Sequence, residues 1–135
     1  MAGYSSTPLW KKLGYKTGME AYVDGGPEQY RAPLSLPADL SVQWLTRPKP
    51  DLKFVHLFAT VAAGLKTKLK AYRTKIAPDG VVWASWPKKA ARVPTDITED
   101  RIREIALPMG FVDIKVCAVD ETWSGLKLMI RRTER

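Results

Sequence analysis

The chain is 135 residues long, with 45% hydrophobic and 27% charged residues, 10 Pro and 9 Gly. A chain of that size buries roughly two thirds of the surface its unfolded form exposes, which excludes disorder, a collagen-like repeat and a fold that depends on disulfide staples. Its 22 Lys and Arg outnumber 14 Asp and Glu, and the net charge of +8 raises the question of a nucleic-acid partner.

The first element is a short helix after Thr7: a hydroxyl to cap it, Pro8 at the first helical position, Leu9 to Leu13, and Gly14 at the stop. Residues 1–18 thus form an amino-terminal helical segment expected to pack Leu9, Trp10 and Leu13 on the body. Met19 to Val23 reads as a first strand ended by Asp24-Gly25-Gly26-Pro27. Glu28 to Ala32 suits one or two helical turns, cut short by Pro33 and Pro37. Ser41 to Leu45 is a second strand. Leu52 to Phe58 is a nearly continuous apolar run, which suits a strand covered on both faces. Thr60 can cap a helix from Val61 to about Ile76, whose stripe is Val61, Leu65, Leu69, Tyr72 and Ile76. Val81 to Trp86 is a fourth strand, so strand, helix and strand form a parallel crossover. Asp96-Ile97-Thr98-Glu99 has capping-box spacing and opens a helix through Leu107. Phe111 to Val119, with Val112, Ile114, Val116 and Ala118 on one face, and Gly125 to Arg132 then alternate as the two strands of an antiparallel hairpin.

This order predicts a single α/β domain over 1–135: a three-layer, Rossmann-like, mostly parallel sheet of about six strands ending in an antiparallel hairpin. It resembles a shortened class I methyltransferase sheet, with six strands where that fold has seven. The resemblance implies a cofactor motif after the first strand and an acid ending the second, both serving S-adenosylmethionine. Here Asp24-Gly25-Gly26 supplies only a fragment, Pro27 removes a backbone donor, and the second strand ends in Trp44-Leu45-Thr46. The cofactor motif therefore reads as lost, and no cofactor is expected.

Longer strings, Trp86-Pro87-Lys88-Lys89, Thr95-Asp96-Ile97-Thr98-Glu99-Asp100, Val116 to Lys127, and Tyr4 to Leu9 with Lys12-Leu13-Gly14, resemble the bacterial domain-of-unknown-function family 3052. That resemblance implies one compact domain and supplies no activity.

Ligands of such sheets sit outside the carboxyl ends of the strands, where strand order reverses. Asp24, Gly25, Gly26, Trp86, Lys88, Lys89, Asp120, Glu121, Trp123 and Ser124 fall at that edge and form the candidate site. Lys88 and Lys89, with Arg92, would receive a phosphate or carboxylate. Asp120 or Glu121 would act as a base or pair with the lysines, and Trp123 would wall a pocket. His56, between Phe54 and Phe58, reads as a hydrogen-bonded core histidine, and Cys117 as a small buried hydrophobe. Ser85 and Ser124 have no histidine at useful spacing. With one Cys and one His, zinc clusters and most transition-metal sites are excluded. No run approaches the roughly 20 apolar residues of a membrane span, so the expectation is a soluble cytoplasmic protein.

The charge excess lies in residues 51–94, which carry nine basic residues against two acids. Much of it flanks the stripe of the 61–76 helix, as a solvated amphipathic helix requires. Weak, salt-dependent nucleic-acid binding through that helix is therefore the third reading. The first is a binding or regulatory module, not a catalyst, for a small anionic molecule or a protein partner. The second is an uncharacterised enzyme, a divergent S-adenosylmethionine-dependent transferase, in the same crevice.

Overall fold

The structure is a computed structural model that describes residues 7–135. Six strands form at Glu20–Asp24 (β1), Gln43–Leu45 (β2), Leu52–Phe58 (β3), Ile76–Pro87 (β4), Phe111–Ala118 (β5) and Trp123–Ile130 (β6). Helices form at Leu9–Leu13 (α1), Ala62–Lys75 (α2) and Glu99–Ala106 (α3). The strands make one sheet in the order β2-β1-β3-β4-β6-β5. β1 to β4 are parallel, and β6 runs antiparallel to both of its neighbours. The expected mostly parallel α/β sheet with a terminal hairpin is thus the observed one.

β3 is apolar almost throughout because its side chains enter two cores. Val55 and Leu57 join Leu65, Leu69, Val82, Ile102 and Leu126 under α2 and α3. Phe54 and Phe58 point the other way, to Leu13, Tyr15, Tyr30, Leu34 and Trp83. That second face is closed without a long helix. α1 covers part of it, and the rest lies under the connection from residue 25 to residue 42, whose regular structure is one 3-10 turn at Ala32–Leu34. The helical turns expected at Glu28 to Ala32 are therefore not there; the prolines allow only this irregular strap.

Four local expectations are corrected. α2 begins one residue later than its apolar stripe suggests, so Val61 is extended and 56% exposed while Leu65, Leu69 and Tyr72 are buried. Its cap is not Thr60. Asp96 reaches from the segment before α3, and its Oδ1 accepts the Ala62 N–H at 2.7 Å. Asp96 is accordingly not part of a box on α3, where Thr98 Oγ1 accepts from Arg101 N at 3.1 Å. At the amino terminus Pro8 stands at the N-cap position of α1, just outside the helix.

A carboxylate at a helix start satisfies an orphan N–H and interacts with the positive end of the dipole. Asp96→Ala is expected to cost about 1 kcal/mol in urea unfolding, whereas Thr60→Ala should stay within about 0.5 kcal/mol. Equal losses in the two variants would remove Asp96 from this role.

β5 carries a bulge between Asp113 and Lys115. The extra residue reverses which face later side chains meet, so Phe111 enters the helix-covered core and Cys117, six residues on, enters the opposite one. The uniform alternation expected for Val112, Ile114, Val116 and Ala118 fails for that reason, and Ile114 and Val116 are 48% and 45% exposed. No helix among the described residues is long and apolar enough to cross a membrane.

Candidate functional site

Strand order reverses between β1 and β3: from β1 the chain moves outward to β2, then returns to β3 on the far side. Their carboxyl ends meet closely. Gly25 has φ +73°, and a Cβ on it would stand 3.0 Å from the Phe58 carbonyl oxygen. Glycine is needed here because the protein's own backbone approaches. The Phe58 ring stacks on His56 at 4.3 Å and meets Trp123 edge-on at 5.0 Å. The reversal point is therefore filled by aromatic side chains.

Open space lies one strand to the side. A cleft of about 600 Å³ runs between the loop after β1 and the end of β2, with Gly26, Glu28, Gln29, Arg31, Trp44 and Leu45 in its wall. The Arg31 guanidinium lies over the Trp44 ring, 4.6 Å from its centroid. No ion pair among the described residues includes Arg31. A guanidinium over an indole face with no acid partner retains donors for a carboxylate or phosphate. Glu28 and Gln29 add an acceptor and an amide.

The residues expected from sequence to line the site are partly assembled. Lys88 lies against the hairpin connection, donating from its backbone to the Thr122 carbonyl at 2.7 Å and from Nζ to the Asp120 carbonyl at 2.6 Å. Asp120 Oδ1 in turn accepts Thr122 N and Trp123 N. Both charged groups are thus committed to shaping the turn, a poor arrangement for an anion pocket or a base. Lys89, Arg92 and Glu121 are exposed. Trp123 and Ser124 belong to β6, opposite Pro87 and Trp86, so the connection is only the four residues 119–122. Trp86 faces the helix-covered core and is 8% exposed, which removes it from any ligand. Asp24 also turns to that side, where its two oxygens accept Lys68 Nζ and Tyr72 Oη, each at 2.6 Å. Burial pushes the Tyr72 hydroxyl up, with Asp24 adding to the shift.

Sequence reasoning missed a chain of buried polar groups on the strap side. Tyr15 and Tyr30 share a hydrogen bond of 2.6 Å, Tyr30 bonds His56 Nδ1 at 2.6 Å, and His56 Nε2 bonds Ser85 Oγ at 2.7 Å. All four residues are buried. Burial holds both tyrosines above the usual phenol range and pushes the imidazole down to about 3, so His56 is neutral. One ring N–H then runs the hydrogens in a single direction: toward Ser85 if it sits on Nε2, toward Tyr15 if it sits on Nδ1. Gly125 closes the Ser85 end, since a Cβ there would lie 3.0 Å from Ser85 Oγ and 3.1 Å from the Trp83 ring. Ser85 does have a histidine partner, yet the second imidazole nitrogen faces a phenol and the pair is shut from solvent. This is a core network, as expected for His56, and it offers no attack on a substrate. Cys117 is likewise buried, which pushes its thiol up. Among the described residues no group of three His, Cys, Asp or Glu is placed to hold a metal.

No protein-family profile and no curated protein sequence matches the chain. Solved structures match its fold. It is similar to a SAM-dependent methyltransferase from Aquifex aeolicus, with a TM-score of 0.66 and 17% identity over 89% of this chain and 86% of that one. It is also similar to a TehB-like SAM-dependent methyltransferase from Corynebacterium glutamicum, with a TM-score of 0.55 and 10% identity over 96% and 91%. A third likeness is to a chain in the Haloferax volcanii complex of the Trm112 methyltransferase activator with a methyltransferase: TM-score 0.55, 11% identity, over 92% and 87%. These likenesses establish the class I methyltransferase fold, here in a shortened six-stranded form.

The residues present do not fit the cofactor that fold implies. Asp24 is already bonded on the helix side, Gly25 packs on Phe58, Pro27 has no N–H to offer, and β2 ends without an acid.

Proposed function

We propose that this shortened methyltransferase fold is a non-catalytic binding module that takes a small anionic ligand in the cleft beside β1 and β2. The observation that carries the reading is Arg31, which lies over Trp44 in the wall of a roughly 600 Å³ cleft and has no ion-pair partner among the described residues. The anion thus sits at Arg31, displaced from the Lys88 and Lys89 position that the sequence suggested. A flat group on the ligand would share the Trp44 face, and Glu28 would accept hydrogen bonds from hydroxyls or amines. The domain works in the soluble phase, and membership of domain-of-unknown-function family 3052 goes with this reading, on the strings from Trp86 to Lys127.

A thermal-shift panel of dicarboxylates, sugar phosphates, nucleotides and S-adenosylmethionine tests it. A ligand at about a hundred times its Kd adds about 2.7 kcal/mol to folding, well above detection. An anionic member should raise Tm in the wild type and not in Arg31→Met, and millimolar S-adenosylmethionine should raise neither. A shift with S-adenosylmethionine that survives Arg31→Met would overturn the reading in favour of a divergent transferase, the second reading, for which Glu28 is the free carboxylate at the cleft.

A further inference from the structure

On the strap side, outside the wall of the cleft, four lysines gather with no ion-paired acid among them. Lys115 and Lys127 are directly opposed across β5 and β6. Such pairs stand about 5 Å apart at the backbone, and like charges so placed repel. Lys127 also lies opposite Trp83, whose indole donates to the Leu13 carbonyl and so seats the end of α1 beside it. Lys12 of α1 and Lys16 just after it complete the group: Lys16 and Lys115 act on the Lys127 ammonium, while Lys12 and Lys115 act on Cys117. Lys127 is half-buried. None of the four side chains has an ion pair or hydrogen bond among the described residues.

A solvated surface has no need of this. On α2 the central lysine, Lys68, has an acid of its own in Asp24. In the hairpin the repulsion is built into strand register, with one ammonium partly withdrawn from water. Such a conflict between local rules and structure marks a place where a partner supplies the missing charge. The patch is not a pocket, which disfavours a small molecule. A shallow hollow of about 430 Å³ lies beside Lys16, lined by Trp10, Pro37, Asp39 and Leu40. Its apolar wall and the Trp10 indole suit an unstacked base, with room to spare.

We propose that Lys12, Lys16, Lys115 and Lys127 bind the phosphates of a single-stranded nucleic acid, with a base seated in the hollow at Trp10. Lysines along a backbone beside an aromatic platform are the usual means of holding single strands, whereas a duplex offers no free base and α1, at five residues, is too short to read a groove. The site is independent of the Arg31 cleft, and it is not the α2 surface to which charge alone pointed.

Fluorescence anisotropy with a labelled single-stranded oligonucleotide, over a series of salt concentrations, tests the proposal. Lys115→Gln with Lys127→Gln should weaken binding roughly twentyfold near 0.1 M salt and reduce the salt slope by about 1.4. Lys66→Gln with Lys70→Gln removes the same charge from α2 and should change affinity less than about threefold. The hairpin variant should also melt no lower than the wild type, because it relieves repulsion. The proposal is overturned by equal losses in the two double variants, by absence of binding at low salt, or by tighter binding of the matched duplex.

Discussion

Trp83→Ala is expected to remove about 4 kcal/mol of stability, a large share of what a domain this size possesses. Trp83 is fully buried in β4 and belongs to the core beneath α1 and the strap. Truncation leaves a cavity between the sheet and those covers, and the strap has no long helix with which to collapse into it. The indole also does polar work, because Nε1 donates to the Leu13 carbonyl at 2.9 Å and holds the last turn of α1 in place. Trp83→Phe keeps most of the volume but leaves that carbonyl unsatisfied, and should cost about 1–2 kcal/mol. Urea unfolding gives both numbers. Limited proteolysis adds a local readout, since Trp83→Phe should speed cleavage near α1 before it speeds cleavage in β3 or β4. If Trp83→Phe proves as stable as the wild type, the indole hydrogen bond does not anchor the helix.

Acid should expose the second dependence. The folded protein holds His56 neutral down to about pH 3, while the unfolded chain protonates it near the ordinary value of 6.5. Between those values the unfolded form binds a proton that the folded form refuses. Stability is therefore full above about pH 6.5 and declines as pH falls toward 3, by about 1.4 kcal/mol per unit once well inside the window. From pH 7 to pH 5 the loss should be about 2 kcal/mol, before carboxylates begin to contribute. Because His56 is the only histidine, the slope can be assigned. His56→Gln, at a lower overall stability, should flatten it. The same slope in the variant and the wild type would show that the imidazole is not the group refusing the proton.

Much of the architecture was legible because burial writes itself into sequence as period. The run Leu52 to Phe58, the stripe Leu65, Leu69 and Tyr72, and the alternation of β6 each have one reading. What escaped depends on pairing between segments. The Ser85 to His56 bond follows from parallel register, in which Phe58 stands beside Ser85 and His56 lies diagonally across from it. Nothing in either segment alone reveals that. The cap of α2 comes from Asp96, 34 residues downstream, and Thr60 held the right type of side chain at the right place without serving. The bulge in β5 leaves no glycine as a marker. For the site, sequence pointed to the carboxyl edge of the sheet, where the cleft beside β1 and β2 also opens. It could not tell that Asp120 and Lys88 would spend their polar atoms on the turn, or that Arg31 would be held against Trp44.

The unequal covering of the sheet also sets the order in which the molecule opens. Two helices clamp one face, while the other relies on α1 and the strap, whose amides belong mostly to turns and so exchange with deuterium at low cost. Loss of that cover alone would bring Tyr15, Tyr30 and His56 to water with β1, β3 and β4 still paired. Protonation of His56 therefore needs no global unfolding. At mildly acidic pH the first species to accumulate should be a half-open form, its strands protected and its strap exchanging freely, and hydrogen exchange at pH 5 would detect it.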